Sequence, residues 1–225
     1  MSSLLAVIPL ISFDDPATTF TFFETSDPVM GGRSRGQWNV TKGEYGSMTG
    51  EVVNVPALSA PGFIKASADA RFPTYRFADA SPAFGGDLVL TLRSKTPAYA
   101  GFRIAFAAGT ASPNYACAGG GSTPFSRGCW KASFKLPTIA VATFTQVRIP
   151  FANFSDLWSP ATGEPTKSCA EDPKACPTAH ALAHIQRFEI WAEGVNGDVQ
   201  IDVKAIAAVP AGSEGLGGAR PSRAA

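Results

Sequence analysis

Apolar and polar residues alternate along most of this chain, which is the period of a β-strand with one buried face. In one such run Phe102, Ile104 and Phe106 occupy alternate positions and therefore share a face. Turns rich in Gly and Pro separate these runs. The predicted strands are Gly36–Thr41, Tyr45–Val55, Gly62–Ser67, Asp87–Arg93, Tyr99–Phe106, Trp130–Leu136, Phe144–Phe151, Arg187–Ala192 and Val199–Val209. Many short strands at this spacing predict an all-β sandwich or barrel.

Helical periodicity is rare in this sequence. Only Thr178–Gln186 carries apolar side chains at i, i+3 and i+4 spacing, so we expect helix to be a minor component. The most apolar run, Leu4–Ile11, is interrupted by Pro9 and is much shorter than the ~20 residues of a membrane span. We therefore interpret this run as a strand or a docked arm.

The length of the chain favours one domain. A β-sandwich of 225 residues commonly forms a single unit. Residues 1–12 are interpreted as the N-terminal strand or docking arm, and residues 13–209 as the sandwich domain. Residues 210–225 are rich in Gly, Ala and Ser and cannot bury enough apolar surface to fold alone. They are predicted to form a flexible C-terminal tail.

Composition narrows the class of partner. Hydrophobic residues make up 45% of the chain and include 16 Phe, enough to fill a large core. Charged residues make up 16%, below the ~25% of ordinary soluble domains, and the net charge is +1. Without a run of Lys and Arg, nucleic-acid binding is not expected. A surface with few charges is typical of proteins that bind other proteins.

The densest cluster of special residues is the segment Thr25–Gly36. Asp27 followed by Pro28 predicts a turn, because Asp caps nearby amides and Pro restricts the residue before it. The pair Gly31 and Gly32 permits positive φ or a close approach by another group. Arg33 and Arg35 alternate, so they would share one face of a strand. The segment is either a tight corner with solvated arginines or a binding corner.

The corner also carries a family resemblance. The run Asp-Pro-Val-Met-Gly-Gly-Arg-Ser, preceded by Phe22-Phe23-Glu24 and followed by Trp38, resembles the signature of the 30-kDa complex I intermediate-associated protein family. Further matching segments are Pro61–Phe63, Phe144–Phe154 and Phe188–Ile206, so the resemblance spans about residues 10–208. It implies a galactose-binding-like jelly roll, a β-sandwich of two antiparallel sheets.

The resemblance also implies a role. Members are assembly factors of respiratory NADH:ubiquinone oxidoreductase, with plastid and bacterial relatives. We therefore expect a non-catalytic interaction or scaffold module that acts in assembly, or as an accessory subunit, of a respiratory or photosynthetic membrane complex. Its partners would be subunits of that complex, and its location a mitochondrion or plastid. The residues assigned to partner binding are Asp27, Met30, Gly31, Gly32, Arg33, Arg35 and Trp158.

Four cysteines fall in two local pairs, each within a predicted loop. Cys117 and Cys129 bracket a Gly- and Ser-rich insertion, and Cys169 and Cys176 lie in a Pro-rich one. We predict two disulfides, each stabilising its loop by ~2–3 kcal/mol, with four reduced thiols as the alternative. Disulfides favour an oxidising compartment, such as the thylakoid lumen or intermembrane space, and fit a mitochondrial matrix less well.

The second cysteine pair and both histidines also form a possible zinc-binding pattern, although a weak one. His180 and His184 follow the second cysteine pair in the pattern C-x6-C-x3-H-x3-H, and a helix would place both imidazoles on one face. The spacing between Cys169 and Cys176 is wide for a zinc knuckle, so ordinary helix histidines are the preferred interpretation and no metal or cofactor is expected.

No catalytic constellation is recognised in the sequence. It contains no G-x-S-x-G, no phosphate-binding glycine-lysine loop and no H-E-x-x-H motif. The chain is therefore expected not to be an enzyme. The alternative function is a carbohydrate-binding jelly-roll module, for which the natural aromatic platforms are Trp38, Trp130, Trp158 and Trp191. Trp158 lies in a proline-rich loop and is the tryptophan most expected to be exposed, although a lone loop tryptophan more often packs under its own loop than contacts a ligand.

Overall fold

The computed structural model describes residues 7–14, 21–57, 59–70, 77–108, 117 and 127–213, without the side chains of Val29 and Met30. Most of the first predicted loop insertion, and the predicted tail from residue 214, lie outside these residues. The strands are β1 Ile8–Ser12, β2 Phe22–Ser26, β3 Arg35–Thr41, β4 Tyr45–Val52, β5 Asn54–Val55, β6 Ala60–Pro61, β7 Phe63–Asp69, β8 Asp87–Arg93, β9 Phe102–Ala108, β10 Cys129–Ser133, β11 Thr145–Pro150, β12 Ile185–Glu193 and β13 Gly197–Val209. The α-helix α1 is Ala179–Ala183. Short 3-10 turns lie at Asp27–Met30, Ser81–Ala83, Thr138–Val141, Phe151–Asn153 and Pro173–Ala175.

Two antiparallel sheets form the sandwich. Sheet 1 has the order β11-β8-β13-β4-β3, and β1 also pairs with β13. Sheet 2 has the order β10-β9-β12-β7-β2. The expected jelly-roll sandwich is thereby confirmed, although β9 begins three residues later than predicted and the helix is shorter than the predicted Thr178–Gln186. Helix α1 is short because its N-cap Thr178 begins it and β12 follows directly at Ile185.

The core fills the space between the sheets, as the alternation predicts. Phe102, Ile104 and Phe106 of β9 are fully buried, and the Phe106 ring packs against Phe188 of β12 and Phe154. Sheet 1 contributes inward leucines from β8 and branched side chains from β13. Inward positions are therefore occupied by apolar residues, which leaves the outer faces of both sheets to carry polar chemistry.

Strands β2 and β3 are the edges that bring the signature segment to the surface. β2 closes sheet 2, β3 closes sheet 1, and residues 27–34 connect them. The two edges are held together by the Phe22 and Trp38 rings, which stack with centroids 4.6 Å apart. The connection therefore crosses from one sheet to the other at one margin of the sandwich.

Within the described residues, no helix combines the length and apolar composition required to span a membrane.

Candidate functional site

The crossing between β2 and β3 is organised around the buried carboxylate of Asp27. Its side chain has no exposed surface. Oδ1 accepts a hydrogen bond from the Ser34 amide at 2.9 Å, and Oδ2 accepts from Ser34 Oγ at 2.5 Å and from the Phe63 amide at 3.1 Å. Ser34 Oγ in turn accepts from the Val53 amide at 3.1 Å. We call Asp27, Ser34 and the Phe63 amide the Asp27 knot; it joins both sheets through one side chain.

Glycines make room for this knot. A Cβ on Gly62 would lie 1.4 Å from Asp27 Oδ2, and one on Gly32 would lie 2.1 Å from Oδ1. Gly31 ends the 3-10 turn at φ +78°, a left-handed conformation that favours glycine. The double glycine of the signature therefore has two separate roles: Gly31 supplies backbone conformation and Gly32 supplies space for the carboxylate.

The predicted site residues separate into a buried part and an exposed part. Asp27 fixes the turn from inside, so it cannot contact a partner directly. Met30 lies within the turn, but its side chain falls outside the described part of the chain. Arg33 and Arg35 are exposed, and among the described residues neither forms an ion pair. A shared strand face for both arginines required a strand that restarts at Gly32; β3 begins at Arg35, so only Arg35 lies in it.

A groove of about 580 Å³ runs beside the corner on the outer face of sheet 1. It is lined by Pro28 and Ser34 of the corner, Arg35 and Gln37 of β3, Glu51 of β4 and Asp198 of β13, among others. Arg35 lies directly opposite Glu51, and Glu51 lies directly opposite Asp198. One cation and two anions therefore stand in a row across three strands, a pattern the sequence analysis missed because it depends on strand register.

Trp158 was expected as an exposed contact, and the structure corrects this expectation. Its surface is 3% exposed, and its indole Nε1 donates to the Cys129 carbonyl at 3.1 Å. The ring is covered because residues 155–178, which we call the cover segment, fold across the outer face of sheet 2. The segment is held there by a bridge between Ser155 and Lys131 and by an ion pair between Glu164 and Arg103.

Under the cover segment lies a network of buried charges that the sequence analysis did not identify. Lys131 is fully buried, with Nζ 2.6 Å from Glu193 Oε1 and 3.7 and 3.6 Å from the ring centroids of Trp158 and Trp191. Two aromatic faces and a carboxylate thus surround one ammonium group. Burial lowers the pKa of Lys131, while the adjacent Glu193 carboxylate opposes that shift.

Glu189 is the second centre of this network. Its Oε1 accepts from Lys65 Nζ at 2.9 Å and from Arg187 at 3.2 Å, and its Oε2 accepts from the Trp191 indole at 2.9 Å. The sequence does hold one sign of this network: alternate positions of β12, on its outward face, are occupied by Arg187, Glu189, Trp191 and Glu193. That face is normally solvated, so the pattern alone does not reveal its burial.

Both predicted disulfides are confirmed. Cys117 bonds to Cys129, and Cys169 bonds to Cys176. The second bond removes the thiolates of the C-x6-C-x3-H-x3-H pattern, while the rings of His180 and His184 stack on each other with centroids 4.3 Å apart. In the disulfide form, Cys169 and Cys176 therefore offer no thiolate to a metal.

The proposed sugar platforms are not exposed. Trp130, Trp158 and Trp191 are buried, and Trp38 is half-buried against Phe22. A ring that packs into protein on both faces cannot stack on a sugar.

Comparison with known proteins identifies a family from the sequence and a similar fold among solved structures. Residues 11–167 match the family described as complex I intermediate-associated protein 30. No curated protein matches the chain.

Among solved structures, CtCBM11, described in a study of its solution structure, dynamics and binding, superposes with a TM-score of 0.51 at 15% identity, covering 94% of this chain and 99% of that one. The family 11 carbohydrate-binding module of the cellulosomal cellulase Lic26A-Cel5E of Clostridium thermocellum gives 0.51 at 13% identity, covering 92% and 96%. At these identities the likeness concerns the fold alone.

Proposed function

The chain belongs to the complex I intermediate-associated protein 30 family, and from that membership we propose that it is a non-catalytic docking module in the assembly of respiratory complex I. The proposed docking surface, which we call the arginine corner, consists of Arg33, Arg35 and the adjoining groove lined by Glu51 and Asp198. Permanent residence as an accessory subunit, or action on a photosynthetic complex, is a variant of the same proposal.

One observation carries this proposal: the buried Asp27 knot holds two exposed arginines in place, and neither forms an ion pair with another residue in the described part of the chain. The arginines flank Ser34, whose amide and hydroxyl both bind Asp27. The backbone that presents them is therefore ordered before a partner arrives. Preordering lowers the entropy lost on binding, so a small charged surface of this kind can contribute usefully to affinity.

The charges of the groove define the chemistry of the partner. Arg33 and Arg35 suit carboxylates, since a guanidinium binds a carboxylate through two parallel hydrogen bonds. Glu51 and Asp198 are like charges directly opposite each other on neighbouring strands, which is destabilising until a cation lies between them. We therefore expect the partner surface to present acidic residues beside at least one Lys or Arg.

The compartment follows from family and cysteines together. Family membership supports association with mitochondria, and the two disulfides support an oxidising space such as the intermembrane space. We propose that the arginine corner meets complex I subunits there, as a peripheral protein held by its partners.

Charge reversal at the corner tests the proposal. The tagged full chain, carrying Arg33→Glu or Arg35→Glu, is expressed in its native cells, and complex I subunits that co-purify are quantified by mass spectrometry. We expect at least a tenfold loss, about 1.4 kcal/mol of binding free energy. Both side chains are exposed, so the Tm should change by no more than ~2 °C.

Lys42→Glu is the matched control. Lys42 is exposed in the β3–β4 turn, carries the same charge, and lies about 23 Å from Arg35 along the strand. It should co-purify like the wild type. Equal recovery of complex I subunits with Arg35→Glu and Lys42→Glu would mean that the corner is a solvated turn that binds no partner.

The alternative of a carbohydrate-binding module shares the fold but lacks its predicted aromatic contacts, because Trp130, Trp158 and Trp191 are buried and Trp38 is half-buried. Binding on a glycan array that is unaffected by Arg35→Glu would favour the alternative over the docking module.

A further inference from the structure

We propose that Cys117, Cys129 and Glu189 form a metal site whenever the two cysteines are thiols, and that the ligand is a single Zn²⁺. The site lies under the cover segment, on the outer face of sheet 2, and is separate from the arginine corner. The disulfide and the metal would be two alternative ways of closing the same loop.

Geometry is the first argument. The two sulfurs and a carboxylate oxygen of Glu189 all lie within 4.8 Å of one another, and all three residues are buried. A tetrahedral Zn²⁺ with Zn–S of about 2.3 Å and Zn–O of about 2.1 Å needs ligand atoms ~3.6–3.8 Å apart. In the disulfide the two sulfurs are bonded to each other, so on reduction they must move apart to this separation, whereas the Glu189 oxygen already lies within 4.8 Å of both; a water molecule can supply the fourth ligand.

Glu189 has capacity for a metal. Among its described contacts, Oε1 accepts from Lys65, Ser67 and Arg187, whereas Oε2 accepts only from the Trp191 indole. Oε2 therefore retains a lone pair that faces no described donor. The Trp191 bond also fixes the orientation of the carboxylate, as hydrogen bonds to ligating carboxylates do in known metal sites.

The charge balance of the buried network permits the exchange. Two thiolates with one Zn²⁺ have zero net charge, as does the disulfide they replace. The ion pairs of Glu189 with Lys65 and of Glu193 with Lys131 therefore keep the same overall charge in both forms. Two thiolates without metal would add two buried negative charges, which is costly.

Each form has its own co-reactant, Zn²⁺ for the metal form and a protein disulfide for the oxidised form. In the metal form, each thiol releases its proton to water, Zn²⁺ binds both thiolates, and no electrons move. In the disulfide form, the two thiols lose two protons and two electrons to a protein disulfide, which becomes a dithiol. The chain emerges from the ribosome with thiols, so the compartment in which it folds selects the form.

The difference between the two cysteine pairs makes the site specific. Within the described chain, Cys169 and Cys176 have no acidic or histidine ligand grouped with them, whereas Cys117 and Cys129 have Glu189. The metal should therefore bind one pair and not the other, which provides a control inside a single molecule.

The first experiment uses the wild-type full chain. The protein is unfolded and reduced, then refolded without oxygen in the presence or absence of one equivalent of Zn²⁺, and alkylation of each cysteine is followed by mass spectrometry. We expect Zn²⁺ to slow alkylation of Cys117 and Cys129 at least tenfold and to leave Cys169 and Cys176 unchanged. Equal effects on all four cysteines, or none, would overturn the proposal.

A second experiment replaces Zn²⁺ by Co²⁺, which is visible by its thiolate-to-metal absorption. The reduced wild type and the double variant Cys169→Ser, Cys176→Ser should each bind one Co²⁺ that Zn²⁺ displaces, and Cys117→Ser should show no such band. Glu189→Gln should bind at least tenfold more weakly if it folds; its folding is checked by circular dichroism. A thiolate band that persists in Cys117→Ser would refute the site, and the docking function would be unaffected by either result.

Discussion

The Asp27 knot offers the sharpest test of how the signature segment works. In Asp27→Asn the shape of the side chain is preserved, but one carboxylate oxygen becomes an NH₂ group. In the wild-type protein, Oδ2 of Asp27 accepts from both Ser34 Oγ at 2.5 Å and the Phe63 amide at 3.1 Å, while Oδ1 accepts from the Ser34 amide at 2.9 Å. Whichever way the amide is oriented, at least one buried donor faces another donor.

The magnitude follows from those contacts. A hydrogen bond to a charged acceptor contributes about 1.5–3 kcal/mol, and a buried donor left unpaired costs a further ~1–3 kcal/mol. With at least one bond lost and the others weakened by loss of the charge, we expect the free energy of unfolding to fall by about 3–5 kcal/mol. A domain with a total of ~10 kcal/mol, the middle of the typical ~5–15 kcal/mol range, would then still fold, but with a much lower midpoint.

The assay is urea unfolding of the disulfide-intact protein, followed by tryptophan fluorescence. Asp79→Asn is the matched control, because exposed Asp79 also accepts a backbone amide, that of Ser81 at 2.8 Å, but at the surface. It should leave the midpoint nearly unchanged. If Asp27→Asn unfolds at the same urea concentration as Asp79→Asn, the carboxylate does not organise the corner and the reasoning fails.

Two further predictions concern buried groups elsewhere. Lys131→Met leaves Glu193 buried without its cation, so the free energy of unfolding measured by urea titration should fall by about 3–5 kcal/mol. The double variant Lys131→Met, Glu193→Gln should recover part of that loss. No recovery would mean that the two side chains are not coupled. Burial raises the pKa of Tyr99 above its ordinary 10.0, and its hydroxyl donates to the Val195 carbonyl at 2.7 Å. Above pH ~10 the Tyr99 hydroxyl is deprotonated in the unfolded chain before it is in the folded protein, so stability should decline as the pH rises. Tyr99→Phe should make this decline shallower. Urea midpoints that change in parallel for both proteins between about pH 9 and pH 11 would contradict the assignment.

Several features of the molecule were accessible from local sequence. The strands follow from alternation because a strand places successive side chains on opposite faces, and one of these faces is the core. The cysteine pairs were predictable because each lies within a single loop, where the chain itself keeps the partners near each other. The turn at Asp27 followed from the local chemistry of Asp, Pro and Gly.

The contacts that define the sites come from residues far apart in sequence. Trp158 lies in a segment without periodicity, so the local sequence does not indicate that its ring packs against the ammonium group of Lys131. Glu189 and Cys129 are brought together because β12 and β10 both flank β9, and no spacing rule joins them. The row formed by Arg35, Glu51 and Asp198 exists only in one strand register.

The sequence by itself determined an all-β sandwich, two disulfide-closed loops and a turn at Asp27, because each of these patterns involves residues no more than 12 positions apart. Only the tertiary structure decided which side of the corner is buried, that the outer face of sheet 2 is covered, and that a carboxylate stands beside one cysteine pair. The reason is physical: burial and charge pairing depend on how strands are ordered in a sheet, and alternation is the same for every order.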